Sequence, residues 1–330
     1  MSGSGWLSGR TLAILFALGA VGLAAAVLVP SQLPFVDMPQ HYAMLARWTH
    51  AGQPDWGLPP TFELNLATPY VLGYALAYLL SPLLGEELAI RVVLAAGLIA
   101  LPAATWLLLR AFDRPTELCL AAFPVALSWL VFRGWFPYVI GLPLAVVAFA
   151  VARSVTLHGR GRDVVLLGVL GLLALATHAL VFVLTAAGVI LVAVGGPGRV
   201  PALARTAVAL APAAVIGLAW AVLRDGLAHP EPRPILFGPI SRRLDLAKVL
   251  FGSAGDDPRV IAVTVALAAV AAIAVVLVAL EVRRDPPRDI VRRWFVTRGP
   301  LLPLFIGLSL ASLLLPETLF DIYGVWHRSV

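Results

Sequence analysis

From Val260 to Leu280 the chain runs without a single charged side chain, and apolar stretches of the same kind recur along its length. A hydrocarbon core about 30 Å thick is crossed by roughly 20 helical residues. Backbone groups in lipid must bond to one another, so only helices and closed barrels span a bilayer. A barrel would read as strands of about ten residues with alternating polarity, whereas these runs are continuous. Composition agrees. With 60% hydrophobic and 13% charged residues, the chain of 330 residues lacks the polar coat of a soluble protein. The expected fold class is therefore all-α: a polytopic helical membrane protein forming one membrane domain over residues 1–330.

Candidate spans fall at 12–29, 88–109, 117–132, 138–152, 164–177, 179–195, 206–223, 260–281 and 301–315, about nine transmembrane helices. Residues 164–195 as one helix would be about 48 Å long, too long for an ordinary crossing, so a break is expected near Thr177 and His178. A further run, 70–84, follows Pro69 and is short for a span. Cytoplasmic loops carry an excess of Lys and Arg, which decides its place. Loop 282–299 holds Arg283, Arg284, Arg288, Arg292, Arg293 and Arg298, and loop 153–163 holds Arg153, Arg160 and Arg162. If 70–84 lies at the interface or re-enters, both loops share a side with the N-terminus, Arg110, Arg114, Arg199 and Arg205. Of the 24 Lys and Arg and 18 Asp and Glu, 14 and 6 then lie on the cytoplasmic side, which leaves 10 and 12 outside. A full crossing by 70–84 would put the six-Arg loop outside. The expected topology is N-terminus in and C-terminus out, in a plasma (inner) membrane, with outer loops at 30–87 and 224–259.

The net charge of +6 matches such loops, and no basic stretch is interleaved with exposed aromatics, so no nucleic-acid partner is expected. The single cysteine, Cys119, excludes an intrachain disulfide. The sequence has neither a Walker-type phosphate loop nor a Cys/His zinc spacing. Segment 12–29 has the small residues of a signal-peptide cleavage site at Ala24, Ala25 and Ala26, but its length favours an uncleaved first span.

The first outer loop concentrates the chemistry. In Asp37-Met38-Pro39-Gln40-His41-Tyr42, the acid, the early Pro and the Gln mark a helix start. A helix over about 38–50 puts Met38, Tyr42, Leu45 and Trp48 on one side and leaves His41, Arg47 and His50 off that stripe. This is the pattern of an amphipathic helix on a membrane surface. Asp37 is then either a cap or a carboxylate one turn from His41, able to deprotonate an acceptor hydroxyl or to hold a divalent cation. Glu63, farther along the loop, is a solvated acid or a further ligand. Arg91, at the outer end of a span, either snorkels or presents its donor fork to a phosphate. His178 lies at an outer turn or at membrane depth, where an ionisable side chain is a functional candidate. Trp135 and Tyr138 fit an interfacial aromatic belt.

The order of these features is one span, an outer loop with Asp37 opening an interfacial helix, a Pro-led apolar run, then Gly85-x-x-x-Ala89-x-Arg91 and a span. It resembles the N-terminal module of the GT-C superfamily of membrane glycosyltransferases, over residues 11–110, and uncharacterised bacterial relatives with an Asp-x-Pro-x-His loop (Asp37, Pro39, His41). The resemblance implies a polyprenyl-phosphate sugar donor, an acceptor on the outer face, and Asp37 as the catalytic or metal-binding acid of the first outer loop. In that reading Asp37 and His41 are catalytic and share a magnesium or manganese ion. Arg91 and Arg133 hold the donor phosphate, with Glu63 and His178 as further substrate contacts. Membrane lipid and the lipid-linked sugar are the expected partners. Met38 stands where many members carry a second acid, and Arg133–Tyr138 carries none. Related enzymes continue into further helices or an outer domain, so a fragment or a reduced member is expected. The alternative is a non-catalytic multi-pass protein: a transporter, a lipid-handling protein or a structural subunit. No Asp or Glu lies well inside a span, which weighs against an ion-coupled pump.

Overall fold

The computed structural model describes residues 7–53, 56, 66–224, 318–319 and 322–323. Glu63, most of the outer loop 224–259, the six-Arg loop 282–299 and the spans expected at 260–281 and 301–315 lie outside the described residues. The described chain is a helical membrane protein. Its helices in order are α1 (Gly9–Leu28), α2 (Met38–Thr49), α3 (Val71–Leu84), α4 (Glu86–Ala111), a 3₁₀ turn (Thr116–Ala121), α5 (Ala122–Ala126), α6 (Trp129–Arg133), α7 (Phe136–His158), α8 (Gly161–Thr177), α9 (Ala179–Val194) and α10 (Arg199–Arg224). Among the described residues the one extended pairing joins Thr318–Leu319 to Ile322–Tyr323.

Five segments are long and apolar enough to cross a membrane: α1, α4, Thr116–Arg133, α7 and Arg199–Val222 of α10. Their outward faces are apolar. Leu18 and Val21 of α1 are 63% and 67% exposed, a surface that lipid covers at low cost. The helices approach one another through small residues, as membrane helices do. A Cβ at Gly141 of α7 would stand 2.5 Å from the Thr177 hydroxyl oxygen, and one at Gly168 of α8 would stand 3.0 Å from the Ala209 carbonyl of α10. Helix α7 is central, packing against α4 on one side and against α8 and α9 on the other.

The expected break at His178 is present, and it separates α8 from α9. Two other expectations are corrected. The run 117–132 is not one helix but a 3₁₀ turn followed by α5 and α6. Pro124 has no N–H with which to continue the ladder, and the chain turns again where Val131 N–H bonds Ser128 O at 2.9 Å. Arg153 is not in a loop. Helix α7 continues to His158 and buries Arg153, with Phe112 beneath its guanidinium at 5.4 Å.

The bundle has one arginine-rich end. Arg153 neighbours Asp113 and Arg114, Arg205 lies against Gly159, Ser154 bonds Asp163 at 2.6 Å, and Leu7 N–H bonds Glu117 at 3.1 Å. The opposite end is stepped. Helices α4 and α7 run parallel in the register Gly97 to Ile140. Glu86 therefore stands about seven residues, or about 10 Å, beyond the start of α7. Helix α3 folds back along α4 through Gly85 (φ +75°), with Gly73 against Phe136 and Ile140. At 14 residues it is about 21 Å long, short of the hydrocarbon thickness. It climbs from the level of His178 to the tip of α4.

Candidate functional site at the stepped end

Helix α2 lies in this step, beside α3 and the first turns of α4. The buried side of α2 carries Met38, His41 and Leu45, the i, i+3, i+7 set of one helix face. His41 thus belongs to the packed face, contrary to the stripe expected from sequence, because it has polar partners inside. Its Nε2 lies 2.6 Å from the Gly134 carbonyl oxygen and its Nδ1 lies 2.5 Å from the Tyr74 hydroxyl. A carbonyl only accepts, so Nε2 carries the proton, and Tyr74 donates to Nδ1 of a neutral ring. Burial holds the His41 pKa below its ordinary value, outweighing the opposing pull of the Gly134 carbonyl and of Asp37.

Gly134 is the hinge of the arrangement. It adopts φ +82°, and a Cβ there would stand 2.8 Å from the Asp37 nitrogen and 3.1 Å from its Cα and Cβ. Only glycine gives both the backbone angle and the approach. The strand-like contact beside it is made by Val36 N–H to Phe132 O (3.0 Å) and Asp37 N–H to Arg133 O (3.2 Å). These bonds fasten the start of α2 to the end of α6. Asp37 stands at the N-cap, but its side chain makes no capping hydrogen bond. Its carboxylate is half-buried and acts electrostatically on both His41 and Tyr74.

Arg91 is on the same end of the bundle but has a different environment. Its five N–H donors meet five acceptors. Nε donates to the Tyr42 hydroxyl at 3.3 Å, Nη1 to Val27 O at 3.5 Å and to Pro30 O, and Nη2 to Ser31 O at 2.8 Å and to Glu87. The guanidinium therefore closes the C-terminus of α1, where carbonyls lack helical partners, and joins it to α2 and α4. Burial raises the Tyr42 pKa, so its hydroxyl stays neutral beside the cation. The far end of α2 is tied down by Glu86, which accepts from Thr49 at 2.8 Å and pairs with His50 at 2.9 Å.

His178 sits lower in the step, at the break. Its backbone is extended and its Nδ1 accepts from Leu180 N–H at 3.0 Å, capping α9. Tyr70 and Tyr138 meet the imidazole edge-on, with centroids at 4.9 and 5.5 Å, and Trp135 packs on Tyr138 at 5.8 Å. Arg133 is half-buried at the end of α6. The structure thus brings Asp37, His41, Arg91, Arg133 and His178 to one end of the bundle. It puts Asp37 within electrostatic reach of His41 and links Arg91 to that helix only through the next residue, Tyr42. Sequence reading missed Tyr74 and Gly134. The signal for Tyr74 was present: Tyr70, Tyr74 and Tyr78 recur every four residues and so share one helix face.

Both His41 nitrogens are engaged, and among the described residues no three His, Cys, Asp or Glu side chains cluster as a metal site. No family model matches the chain, and neither a curated protein nor a solved structure matches it.

Proposed function

We propose that this chain is a GT-C-like membrane glycosyltransferase, taking a sugar from a polyprenyl-phosphate donor to an acceptor at the stepped end. The observation that carries the reading is Asp37. It is a carboxylate that no helix cap consumes, half-buried, and fixed by paired backbone bonds to the Phe132–Arg133 segment. In the reaction, the acceptor hydroxyl oxygen attacks the anomeric carbon and its proton passes to Asp37. The bond from that carbon to the phosphate oxygen breaks, and polyprenyl phosphate leaves with the negative charge. His41 bonds both Tyr74 and the Gly134 carbonyl and so braces the backbone that carries the carboxylate, and Arg133 is the cation for the leaving phosphate. Arg91 holds the scaffold. No step requires a cation bound by His41.

The topology belongs to the same proposal. The seven described crossings are α1, α4, Thr116–Arg133, α7, α8, α9 and α10. With 260–281 and 301–315 they make nine, with the arginine-rich end and N-terminus in the cytoplasm, the C-terminus out, and the protein in the plasma (inner) membrane. Support comes from the grouping of Arg110, Arg114, Arg153, Arg160, Arg162, Arg199 and Arg205 toward one end.

The second reading, a non-catalytic membrane subunit, is favoured by the saturation of Arg91 and His41 with structural partners. Asp37→Asn separates the two. It keeps the size and a capping oxygen, so folding should be unchanged. Sugar transfer from a polyprenyl-phosphate donor by the purified protein should fall at least a hundredfold, as loss of a general base does. Equal transfer by wild type and Asp37→Asn would remove Asp37 from the chemistry.

A further inference from the structure

We infer that the arginine-rich end contains a binding site for a phosphate-bearing anion, built on Arg153 with Arg114 beside it and Phe112 beneath. Arg153 projects from the last turns of α7 and is 9% exposed. Its Nε and Nη1 are buried and have no hydrogen-bond acceptor among the described residues. A buried guanidinium of this kind is costly to keep without an anion, because desolvation is not returned by pairing. The face of Phe112, 5.4 Å away, offers only a weak cation–π contact.

The neighbouring turn explains why Asp113, the acid that lies within reach among the described residues, does not supply the anion. After α4 ends, Asp113 N–H bonds Arg110 O at 3.2 Å and Arg114 N–H bonds Leu109 O at 2.8 Å. Asp113 is the one non-glycine residue with positive φ, +52°, among the described residues. That turn leaves the Asp113 side chain exposed and, although it lies within electrostatic reach, it makes no ion pair with Arg153. Arg114 lies within electrostatic reach of Arg153 as well. A buried guanidinium with open N–H groups, and a second cation within electrostatic reach, suits the oxygens of a phosphate mono- or diester, which Arg binds as a fork. The site lies where α4 and α7 end, at the level expected for lipid headgroups, and basic pockets between helix ends take such headgroups. An anionic phospholipid headgroup and a free phosphate share this chemistry.

The test uses the full chain, purified and placed in nanodiscs of phosphatidylcholine alone or of phosphatidylcholine with phosphatidylglycerol. Thermal unfolding midpoints are read by tryptophan fluorescence for wild type, Arg153→Gln and Arg160→Gln. Arg160 is an exposed arginine of the same end and serves as the charge control. A third arm adds inorganic phosphate to the phosphatidylcholine discs, against chloride at equal ionic strength. Phosphatidylglycerol should raise the midpoint of wild type and of Arg160→Gln, and Arg153→Gln should lose at least half of that rise. A rise with inorganic phosphate that also needs Arg153 assigns the site to a soluble anion. An equal response in wild type and Arg153→Gln, or none in any arm, overturns the inference. Should Arg153→Gln not fold, native mass spectrometry of the wild type decides. Retention of phosphatidylglycerol no greater than that of phosphatidylcholine refutes the headgroup, and no retained phosphate refutes the site.

Discussion

Exchanging Arg91 for lysine keeps the positive charge and removes two of five N–H donors. The ammonium has three protons to offer. The acceptors are the Tyr42 hydroxyl, Val27 O, Pro30 O, Ser31 O and Glu87. Glu87 is 59% exposed and can turn to water, and Val27 O, at 3.5 Å, is already a weak partner. Three acceptors then remain for three protons, but one ammonium nitrogen cannot stand where Nε, Nη1 and Nη2 stand, so at least one of the Tyr42 hydroxyl, Pro30 O and Ser31 O loses its donor. A hydrogen bond to a charged group contributes about 1.5–3 kcal/mol and a buried orphan acceptor costs about 1–3 kcal/mol. One such loss that water cannot repair puts Arg91→Lys at about 2 kcal/mol, and Arg91→Met, which orphans the whole set, at about 3–5 kcal/mol. Equilibrium unfolding of the purified protein in mixed micelles reads both. The order wild type, Lys, Met is expected, with the end of α1 becoming more accessible to cysteine labelling. Arg91→Met as stable as wild type, but with weakened binding of a polyprenyl-phosphate sugar, would refute the structural assignment and return Arg91 to phosphate binding.

Gly134→Ala puts a Cβ 2.8 Å from the Asp37 nitrogen at φ +82°. It should destabilise by about 1–2 kcal/mol or more and abolish transfer even though Asp37 is intact. Unchanged activity with unchanged stability would count against the fixed contact at Asp37. His41 has a folded pKa below its unfolded value, so the unfolded state binds more protons below about pH 6.5. The His41 contribution is therefore complete above that pH and declines as pH falls through the folded pKa. His41→Gln should lose less stability than wild type between pH 7 and 5, and identical pH profiles would contradict this. Reporter fusions should place residues 282–299 on the cytoplasmic side and residues 30–53 on the other. Labelling of a cysteine placed in 282–299 from outside intact cells would reverse the orientation.

Much of the fold was legible in the sequence because lipid leaves the backbone few options. Continuous apolar runs require helices, and the spacing of Arg110, Arg114, Arg153, Arg160, Arg162, Arg199 and Arg205 gave the common end at which the structure gathers them. The start of α2 at Met38, the short α3 and the break at His178 are local signals, and each appears within a residue or two of its expected place, although Asp37 holds the N-cap position without a side-chain capping bond. Partnership was not legible. Hydrophobic periodicity put His41 off the buried stripe, since it scores a side chain by its own polarity. Tyr74 and the Gly134 carbonyl, 33 and 93 residues away in sequence, make that burial tolerable. Arg91 and Arg153 look alike as arginines near helix ends, yet five acceptors surround one, and two buried N–H groups of the other have none among the described residues. That difference depends on which chain ends fold against each guanidinium, and only the tertiary packing decides it.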